Sequence, residues 1–270
     1  MKAKLSKLLR KYNLLFIADK FRFWINANKN RQKNQEFSRK HPDFIFPPDY
    51  LMYESFQINY ESYYNSGKSA AEWLVNTAGR YTDFNNVKIL DWGCGPARII
   101  RHFPSIVPKN CELYATDYNK NSIEWNIKNI KGVEFNLNGL KAELPYQDDF
   151  FDFIYGISIF THLSEQLHYD WKNELSRVLK KDGILLLSLQ GNFFKTILTP
   201  QEIEDFDKGK LVVRGKVKEG HRTYSAFHPD EFVKKLFADF EVLEHIDSYN
   251  NNGRPEQDIW VLRKKIRPFS

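Results

Sequence analysis

The sequence predicts an α/β fold built around a doubly wound, mostly parallel sheet. Short apolar runs alternate with amphipathic segments between about residues 87 and 189, and most of these runs are nearly continuous instead of apolar at every second position. Strands of this kind are typical of parallel sheets that helices cover on both faces. After Gln190 the pattern changes to a β-hairpin, a helix and two further strands, which predicts additional elements beyond the parallel core.

The elements of this core can be assigned in chain order. One or two helices are predicted within residues 53–78, ahead of the first strand. The predicted strands are 87–92, 111–117, 133–137, 150–157 and 184–189, followed by the hairpin 210–227, with Gly220 in or near its turn, and by strands 239–247 and 257–265. The predicted helices are 97–103, with Pro96 in its first turn, 120–130, 163–181, ended by Asp182 and Gly183, and 229–237.

Residues 1–41 differ from the rest of the chain in charge. They contain 12 Lys and Arg against two acids, a local charge of +10, whereas the other 229 residues contain 28 against 32, or −4. Apolar residues at helical spacing between Leu5 and Leu15 predict a basic amphipathic helix. Such a helix could lie on an anionic membrane surface, or pack on its own domain or on the second subunit of a homodimer. The polar stretch 26–40 is predicted to be mobile, and 41–50, with three prolines, to be an extended connector.

Length and composition restrict the class of protein. The 270 residues suffice for one large domain, which we divide into a basic arm and linker at 1–50 and a domain at 51–270 with an insertion at about 191–228. Two cysteines, Cys94 and Cys111, make no disulfide framework, and this favours a reducing cytoplasm. The apolar runs are too short to span a bilayer. Because the basic charge is confined to the arm, the composition argues against a nucleic-acid substrate.

The stretch LDWGCGPARIIRH, residues 90–102, places an acid, Asp91, two residues before the first glycine of a turn. A dinucleotide-binding turn has the spacing G-x-G-x-x-G, but here Arg98 occupies the place of the third glycine. Asp91 would also face the pyrophosphate, and two unit charges about 4 Å apart interact by roughly 4 kcal/mol at an effective dielectric near 20. S-adenosylmethionine has no phosphate and carries an ammonium and a sulfonium group. The acid therefore favours this cofactor, for which glycines still allow close backbone approach.

A second acid, Asp117, ends the next predicted strand, 26 residues after Asp91. At this place in a doubly wound sheet a carboxylate can accept hydrogen bonds from both ribose hydroxyls, although NAD-binding enzymes use the same position. Tyr118 offers an aromatic surface for one face of an adenine. The alternative interpretation is that both acids cap the helices that follow them.

With these motifs the sequence resembles the class I S-adenosylmethionine-dependent methyltransferases. ILDWGCGPARIIRHF is similar to the first motif of that family and LYATDYN to the acidic motif after it. The segment from Leu144 to Gly191 is similar to the family's fourth and fifth strands with the helix between them. The resemblance covers about residues 60–265, and it implies a Rossmann-like sheet of seven strands whose last strand is antiparallel.

The resemblance also implies which residues contact the cofactor. They are the turn residues Asp91, Gly93, Cys94 and Gly95 for the methionine part, Asp117 for the ribose, Asn138, Gly139 and Leu140 beside the adenine, and Gly156 and Ile157 for the methionine ammonium. Two positions depart from the family pattern. Ala97 stands where many members have a further glycine, and Leu140 where many carry an acid for the adenine amine. Recognition of that amine would then rest on backbone groups or on Asn138.

Four polar residues are candidates for the chemistry of methyl transfer. His162 follows the fourth strand, on the rim where open α/β sheets bind ligands, and it titrates near neutrality as a general base should. The alternative for His162 is structural support or packing against the cofactor. His221 and His228 flank the second strand of the hairpin on the expected substrate side, although each could be an ordinary turn or helix-entry residue. Asp258 begins an otherwise apolar strand, as in methyltransferases associated with bacterial surface glycans, or forms an internal salt bridge.

The leading functional hypothesis is O-methylation of a sugar hydroxyl in a nucleotide sugar, a polysaccharide or a lipid-linked glycan. The sequence contains no compact metal-ligand pattern, and no NPPY-type segment of the kind that holds a flipped base. The aromatic region 53–64 suits stacking on sugar rings, and the basic arm suits a phosphate-bearing or membrane-tethered acceptor. The alternatives are a natural-product or other small-molecule methyltransferase, and a non-catalytic protein that binds the cofactor.

Overall fold

The computed structural model describes residues 15–247 and 256–265. The amphipathic pattern of residues 5–14 and most of the loop 248–256 lie outside the described residues. The α-helices are α1 (Leu15–Lys40), α2 (Asp49–Ser55), α3 (Tyr60–Ala78), α4 (Lys120–Asn129), α5 (Glu165–Val178), α6 (Pro200–Asp207) and α7 (Asp230–Leu236). The strands are β1 (Lys88–Trp92), β2 (Glu112–Asp117), β3 (Glu134–Leu137), β4 (Phe151–Ile157), β5 (Leu179–Leu189), β6 (Val212–Arg214), β7 (Ser225–Phe227), β8 (Phe240–Ile246) and β9 (Asp258–Lys264).

Seven of these strands form one sheet in the order β3-β2-β1-β4-β5-β9-β8. The first five pair in parallel, whereas β9 runs antiparallel to both β5 and β8. Strands β6 and β7 form a separate antiparallel hairpin, and Gly220 lies in its loop with φ of +80°. The predicted fold class is therefore confirmed: a Rossmann-like α/β sheet with N-terminal helices, an antiparallel last strand and a hairpin insertion near the C-terminus.

Neighbouring residues of each strand point to opposite faces of the sheet and build two apolar layers. On β1, Ile89 faces the layer formed with α3 and α4, while Leu90 faces the layer formed with α5 and α7. Both side chains are fully buried. Because helices cover both faces, neither set of positions needs polar residues, which explains why the central strands β1, β4 and β5 are largely apolar.

Helix α1 includes the stretch that the sequence predicted to be mobile. Residues 26–40 form its C-terminal part, where the buried Asn34 accepts a hydrogen bond through Oδ1 from the Tyr60 amide at 3.0 Å. The Phe37 ring packs edge-on against Tyr64 of α3. The prediction of mobility is corrected, because a helix with few apolar residues is here fixed by specific contacts with α3. Residues 41–48 form the connector without regular secondary structure.

The tyrosines of residues 53–64 pack within the N-terminal helices. Tyr63 is fully buried and donates a hydrogen bond to the Pro96 carbonyl at 2.7 Å. The Tyr60 ring stacks on Phe46 with centroids 4.3 Å apart, and the Tyr53 ring meets Phe23 edge-on. These rings are used for packing, so the expected aromatic platform for sugar rings is corrected.

Two helix boundaries differ from the prediction. A 3-10 helix, Ile100–Ser105, replaces the α-helix expected at 97–103. Ala97 has φ of +55°, a left-handed conformation that interrupts regular helical hydrogen bonding, and Pro104 lacks an amide donor. Helix α5 ends at Val178, before Asp182, because β5 already begins at Leu179 and its pairing with β4 is irregular at this end. In the part of the chain described here, no helix is both long and apolar enough to cross a bilayer.

Candidate active site

A cavity opens at the carboxyl ends of β1, β2 and β4. The strand order reverses between β1 and β4, and open α/β sheets bind ligands at such a switch point. One side of the cavity is formed by the turn after β1 and the ends of β2 and β3. The other side is formed by residues 157–162 after β4, the end of α2, and the loop 215–224 between β6 and β7.

The turn after β1 is held by backbone hydrogen bonds. The amides of Gly93 and Cys94 both donate to the Thr116 carbonyl of β2, at 2.8 and 2.9 Å. Gly93 and Gly95 have φ of +80° and +52°, in the region that favours glycine. A Cβ on Gly93 would also lie 2.1 Å from Cδ1 of Ile159. Both glycines line the cavity, so the backbone of the turn is open to a ligand.

Asp117 lines both the part of the cavity beside the turn after β1 and the part beside Asn138 and Gly139. Its Oδ2 accepts a hydrogen bond from the Gly95 amide at 2.8 Å and its Oδ1 one from the Asn119 amide at 2.7 Å. Burial raises the pKa of this carboxyl to about 6, although the two amides lower it. Each carboxylate oxygen keeps a second lone pair, so the group can still accept hydrogen bonds from a ligand.

Asp91 and Cys94 lie behind the turn. Asp91 is buried beside the Tyr155 hydroxyl and the Arg98 guanidinium. Burial raises its pKa to about 7, and these two neighbours act in the opposite direction. The Cys94 thiol donates to the Gly95 carbonyl and contacts Asn126 of α4, and burial raises its pKa. The side chains of Asp91 and Cys94 therefore support the turn from the side away from the cavity, and their expected contact with the methionine part of the cofactor is corrected.

A second chamber of the cavity lies between the ends of β2 and β3. Tyr118, Asn138, Gly139 and Leu140 line it together with Trp171 of α5. The Trp171 indole donates to the Leu140 carbonyl at 3.1 Å, which fixes this segment. Oδ1 of Asn138 is buried and has no hydrogen-bond partner among the described residues. The chamber thus combines an aromatic ring with an available acceptor.

The end of β4 places Gly156 and Ile157 differently. Gly156 packs beneath Trp92, and a Cβ added to it would lie 2.7 Å from Cε3 of that ring. Ile157 lines the cavity and is followed by Ser158, whose φ of +65° is unusual for a serine. The Ser158 amide donates to the Ser188 hydroxyl. The Ser158 hydroxyl accepts a hydrogen bond from Nε2 of Gln257 at 2.7 Å.

His162 lines both parts of the cavity and has a fixed ring orientation. Its Nδ1 lies 2.9 Å from the Tyr224 carbonyl, which can only accept, so Nδ1 carries the proton. Burial lowers the pKa of this histidine, against the effect of the Tyr224 carbonyl. The ring is therefore neutral near pH 7, and Nε2 presents an unprotonated lone pair.

The loop 215–224 closes over the cavity through contacts at both of its edges. The Gly220 amide donates to the His162 carbonyl at 2.9 Å, and the Gly220 carbonyl accepts from the Tyr118 hydroxyl at 3.0 Å. Arg222 donates to Oδ1 of Asp19 on α1 at 2.6 Å, and its guanidinium lies 4.0 Å above the Tyr53 ring. The N-terminal helix and the hairpin insertion are thus joined at the entrance of the cavity.

Of the other three catalytic candidates, only His221 lies at the cavity. His221 lines the cavity next to Arg222, with Nδ1 2.9 Å from the Thr223 hydroxyl. His228 is instead fully buried, and its Nε2 lies 2.9 Å from Nε2 of His168. Asp258 is buried at the start of β9, where its carboxylate contacts His245. Because both side chains are enclosed in packed structure away from the cavity, their expected contact with substrate is corrected.

Several residues that line the cavity were not identified from the sequence. They include Glu54 and Ser55 of α2, Ser158 and Ile159 after β4, and Gly220 and Arg222 of the hairpin loop. Glu54 accepts a hydrogen bond from the Asn119 side chain at 2.8 Å, which links α2 to the residue after Tyr118. No local pattern distinguishes these residues. They are brought to the cavity by contacts between elements that are far apart in the chain.

These residues fit a nucleoside cofactor that carries a positively charged amino acid. The turn exposes backbone through two glycines in left-handed conformations, and the acid Asp117 lies at its side. Tyr118 offers an exposed ring, and the unpartnered Oδ1 of Asn138 is an acceptor for an amino group.

The chain is similar in sequence and in fold to known methyltransferases. Residues 90–187 match a family model described as a methyltransferase domain. The chain is 26% identical over 207 residues to the malonyl-(acyl-carrier protein) O-methyltransferase of Bacillus cereus. The aligned region covers 71% of this chain and 71% of that protein. A solved S-adenosylmethionine-dependent methyltransferase from Methanosarcina mazei superposes with a TM-score of 0.55 at 18% identity, covering 71% of this chain and 98% of that one.

A second solved structure is similar in the same way. The 1,6-didemethyltoxoflavin-N1-methyltransferase of Burkholderia thailandensis, with bound S-adenosylhomocysteine, superposes with a TM-score of 0.53 at 14% identity, covering 76% of this chain and 85% of that one. Both likenesses concern the fold. The domain match over residues 90–187 and the curated relative lead to one conclusion: the chain is a methyltransferase that uses S-adenosylmethionine.

Proposed function

We propose that this enzyme transfers the methyl group of S-adenosylmethionine to a hydroxyl oxygen, with His162 as the general base. The observation that carries the proposal is the His162 ring, whose Nδ1 proton is held by the Tyr224 carbonyl while Nε2 remains unprotonated in the cavity. An aliphatic hydroxyl ionises far above neutral pH, so its methylation benefits from a base at this position. A carboxylate acceptor would need no such base.

The cofactor, when bound, supplies an electrophilic methyl group on a sulfonium. We assign the ribose hydroxyls to Asp117 and the adenine to Tyr118, Asn138, Gly139 and Leu140. The methionine part is assigned to the backbone of the turn 93–95 and of Gly156 and Ile157. From behind the turn, the field of Asp91 favours the positive charges of this cofactor. His162 accepts the proton of the acceptor hydroxyl through Nε2, and Tyr224 keeps the ring in the required tautomer.

We propose as acceptor a sugar hydroxyl in a nucleotide sugar, a polysaccharide or a lipid-linked glycan of the cell surface. The acceptor half of the cavity is rich in polar groups that suit a polyhydroxylated ligand, namely Glu54, Ser55, Ser158, His221 and Arg222. Several of them can donate and accept hydrogen bonds, as recognition of a sugar requires.

A carboxylate acceptor is the second candidate. It is favoured by the similarity to the malonyl-(acyl-carrier protein) O-methyltransferase and by Arg222 and His221, which lie side by side in the cavity. A guanidinium is suited to hold a carboxylate by paired hydrogen bonds. In the structure, however, the Arg222 guanidinium already pairs with Asp19.

The two candidates can be separated with methyl-labelled S-adenosylmethionine and two acceptor sets. One set contains nucleotide sugars and lipid-linked glycans, and the other contains malonyl-acyl carrier protein and free dicarboxylic acids. Label transfer to a sugar that is abolished by His162→Asn supports the proposal. Transfer to the malonyl carboxylate that survives His162→Asn would replace it by the carboxylate candidate.

We further propose that α1 makes peripheral contact with an anionic membrane surface on the cytoplasmic side. Ile17, Phe21 and Trp24 recur on one face of α1 and are 63%, 62% and 62% exposed, with the last two rings stacked. The excess of basic residues in 1–41 favours an anionic surface. The parent chain should sediment with anionic vesicles, and the double variant Phe21→Ser with Trp24→Ser should not. Loss of a dimer in the same variant, with no vesicle binding by the parent chain, would assign this face to a second subunit.

A further inference from the structure

Four potential metal ligands meet at the edge of the sheet, beside the end of β5. Asp258 begins β9, His245 and Asp247 lie at the end of β8, and Asp230 begins α7. One ligand atom from each residue lies within 4.8 Å of all the others. The sequence predicts no metal site, because these ligands come from three segments without a compact spacing.

The distances within this cluster are those of ligands around an ion. Nε2 of His245 lies 3.4 Å from Oδ2 of Asp258 and 3.6 Å from Oδ1 of Asp247, and its Nδ1 lies 3.9 Å from Oδ2 of Asp230. These separations are long for hydrogen bonds. Ligands bound at roughly 2.0–2.2 Å from one ion are separated by about 3–4 Å. The distances from Nε2 to Asp258 and Asp247 match this spacing, while Asp230 lies beside the other ring nitrogen, with its ligand atom still within 4.8 Å of the others.

The charges of the cluster do not balance. Three carboxylates face one imidazole, so the cluster retains a charge of −2 even when His245 is protonated. Among the described residues, the ion pairs of these three acids all involve His245. Of the three carboxylates, Asp258 is 1% exposed, whereas Asp230 and Asp247 are 27% and 40% exposed. The excess negative charge beside the buried Asp258 is unfavourable, and a bound cation would offset it.

Two buried acceptor atoms at this edge have no hydrogen-bond donor among the described residues. The Asp258 side chain is 1% exposed, and its Oδ1 has no hydrogen-bond partner among the described residues. Gln190 follows Leu189, the residue that pairs with Asp258, and its buried Oε1 is also unpartnered. Both atoms are acceptors. A bound cation would satisfy buried acceptors for which the described chain supplies no donor.

The backbone of His228 also meets this edge, although its side chain contacts His168. The His228 amide donates to the Gln190 carbonyl, and His228 lies two residues before Asp230 in the chain. His168 donates through Nδ1 to the Ser164 carbonyl at 2.7 Å, so its Nε2 accepts the proton of His228 Nε2. Nδ1 of His228 is then an unprotonated lone pair, buried and without a partner in the described chain.

We propose that Asp230, His245, Asp247 and Asp258 bind a divalent transition-metal ion. A set of one imidazole and several carboxylates suits Mn²⁺, Fe²⁺ or Zn²⁺. Mg²⁺ and Ca²⁺ fit it less well, because they prefer ligand sets made of oxygen atoms alone. The Trp260 ring stacks on His245 with centroids 3.8 Å apart and holds the imidazole in place. Gly191 is required beside the site, because a Cβ there would lie 1.6 Å from Oδ2 of Asp258.

The ion has a structural role next to the acceptor half of the cavity. It joins the ends of β8 and β9 to the first turn of α7. Gln257, the residue before Asp258, accepts from the Ser188 hydroxyl at 2.6 Å and donates to the Ser158 hydroxyl at 2.7 Å. Fixing the start of β9 therefore also fixes Ser158 at the cavity wall. The site does not depend on the identity of the methyl acceptor.

The test uses the full chain, freed of metal with a chelator and titrated separately with Mn²⁺ and Zn²⁺ by calorimetry. We expect one ion per chain with micromolar or tighter affinity, and a higher Tm with the ion than without it. His245→Gln and Asp247→Asn should each weaken binding at least tenfold. Glu241→Gln, an exposed acid on the same strand, is the matched control and should bind as the parent chain does.

Two outcomes would overturn the proposal. One is the absence of saturable binding of either ion to the parent chain. The other is unchanged affinity in Asp247→Asn, whose side chain is 40% exposed, so that this variant keeps its fold even if the His245 variant does not. Circular dichroism of both variants distinguishes loss of a ligand from loss of the fold.

Discussion

The two halves of the cavity are built from contacts of very different range. On the cofactor side, Gly95 and Asp117 are hydrogen-bonded across 22 residues, between neighbouring parallel strands. On the acceptor side, His162 contacts Tyr224 across 62 residues and Asp19 pairs with Arg222 across 203. The cofactor side is thus part of the sheet itself, whereas the acceptor side depends on a loop held by a few polar contacts. We expect substitutions in the first to change cofactor affinity and substitutions in the second to change acceptor use.

The largest expected effect is that of His162→Asn. The asparagine amide can still donate to the Tyr224 carbonyl, but it offers no basic nitrogen at the position of Nε2. We expect kcat to fall by about 10²–10³-fold, as for loss of a general base, with cofactor affinity within about threefold of the parent enzyme. Single-turnover transfer of labelled methyl groups and calorimetry with S-adenosylhomocysteine measure the two quantities.

The pH dependence of kcat provides the control for this variant. The neutral form of His162 is the active one, so kcat should fall as the pH drops through the pKa of His162. Burial lowers that pKa below the ordinary value of 6.5, and the acid limb should lie correspondingly below pH 6.5. The limb should be missing in His162→Asn. An identical acid limb in the variant would show that another group titrates.

Asp117→Asn should have the largest effect on the cofactor side. The amide keeps one acceptor oxygen but loses the charge, and hydrogen bonds to a charged acceptor contribute about 1.5–3 kcal/mol. We expect S-adenosylhomocysteine to bind about 10–100-fold more weakly, measured by calorimetry. Glu112→Gln, an exposed acid at the other end of the same strand, should bind it normally. Unaltered binding in Asp117→Asn would remove the ribose from this residue.

The same contrast in range explains what the sequence could predict. The turn residues Gly93 and Gly95 and the acid Asp117 are recognisable because the backbone of β1 and β2 brings them together in every sheet of this topology. The strands are recognisable because helices cover both faces and leave them apolar. The cofactor side and the sheet were therefore accessible from local patterns.

The acceptor side was not accessible in this way. Arg222 and Glu54 carry no local signal, since their position depends on how α1, α2 and the hairpin loop pack together. The sequence predicts His228 as a candidate from its place in the insertion on the expected substrate side, and Asp258 because it is an acid at the start of an apolar strand. In the structure their neighbours bury them, which a pattern along the chain cannot reveal.

Arg222→Gln should have a smaller effect that is confined to the acceptor side. The Arg222 and Asp19 side chains are 24% and 13% exposed, so we expect their partly screened pairing to contribute about 1 kcal/mol. Loss of this contact should loosen the loop and raise the acceptor KM about three- to fivefold, with S-adenosylhomocysteine affinity within twofold. Asp19→Asn should have the same effect, and the double variant should not add to it.

The control for this pair is Lys195→Gln, which removes an ion pair to Asp207 in the same insertion, away from the cavity. It should leave the acceptor KM unchanged. A loss beyond about a hundredfold in Arg222→Gln, with little effect of Asp19→Asn, would mean that Arg222 binds the acceptor directly. That result would favour the carboxylate candidate over the hydroxyl.

The smallest expected effect tests whether Asp91 acts on the cofactor through its field. Asp91 is buried behind the turn, and its pKa of about 7 means that it is mostly ionised at pH 8. S-adenosylmethionine carries the sulfonium charge, whereas S-adenosylhomocysteine lacks it but has the same ribose and adenine. Asp91→Asn should therefore weaken binding of the first more than of the second, by roughly two- to fivefold at pH 8, as about 0.5–1 kcal/mol of screened attraction would give. Below pH 6 the parent chain should lose the same preference, because Asp91 is then protonated. Asp117→Asn should weaken both ligands equally, since the ribose is common to them. An equal loss of both in Asp91→Asn would restrict this acid to holding the turn in place.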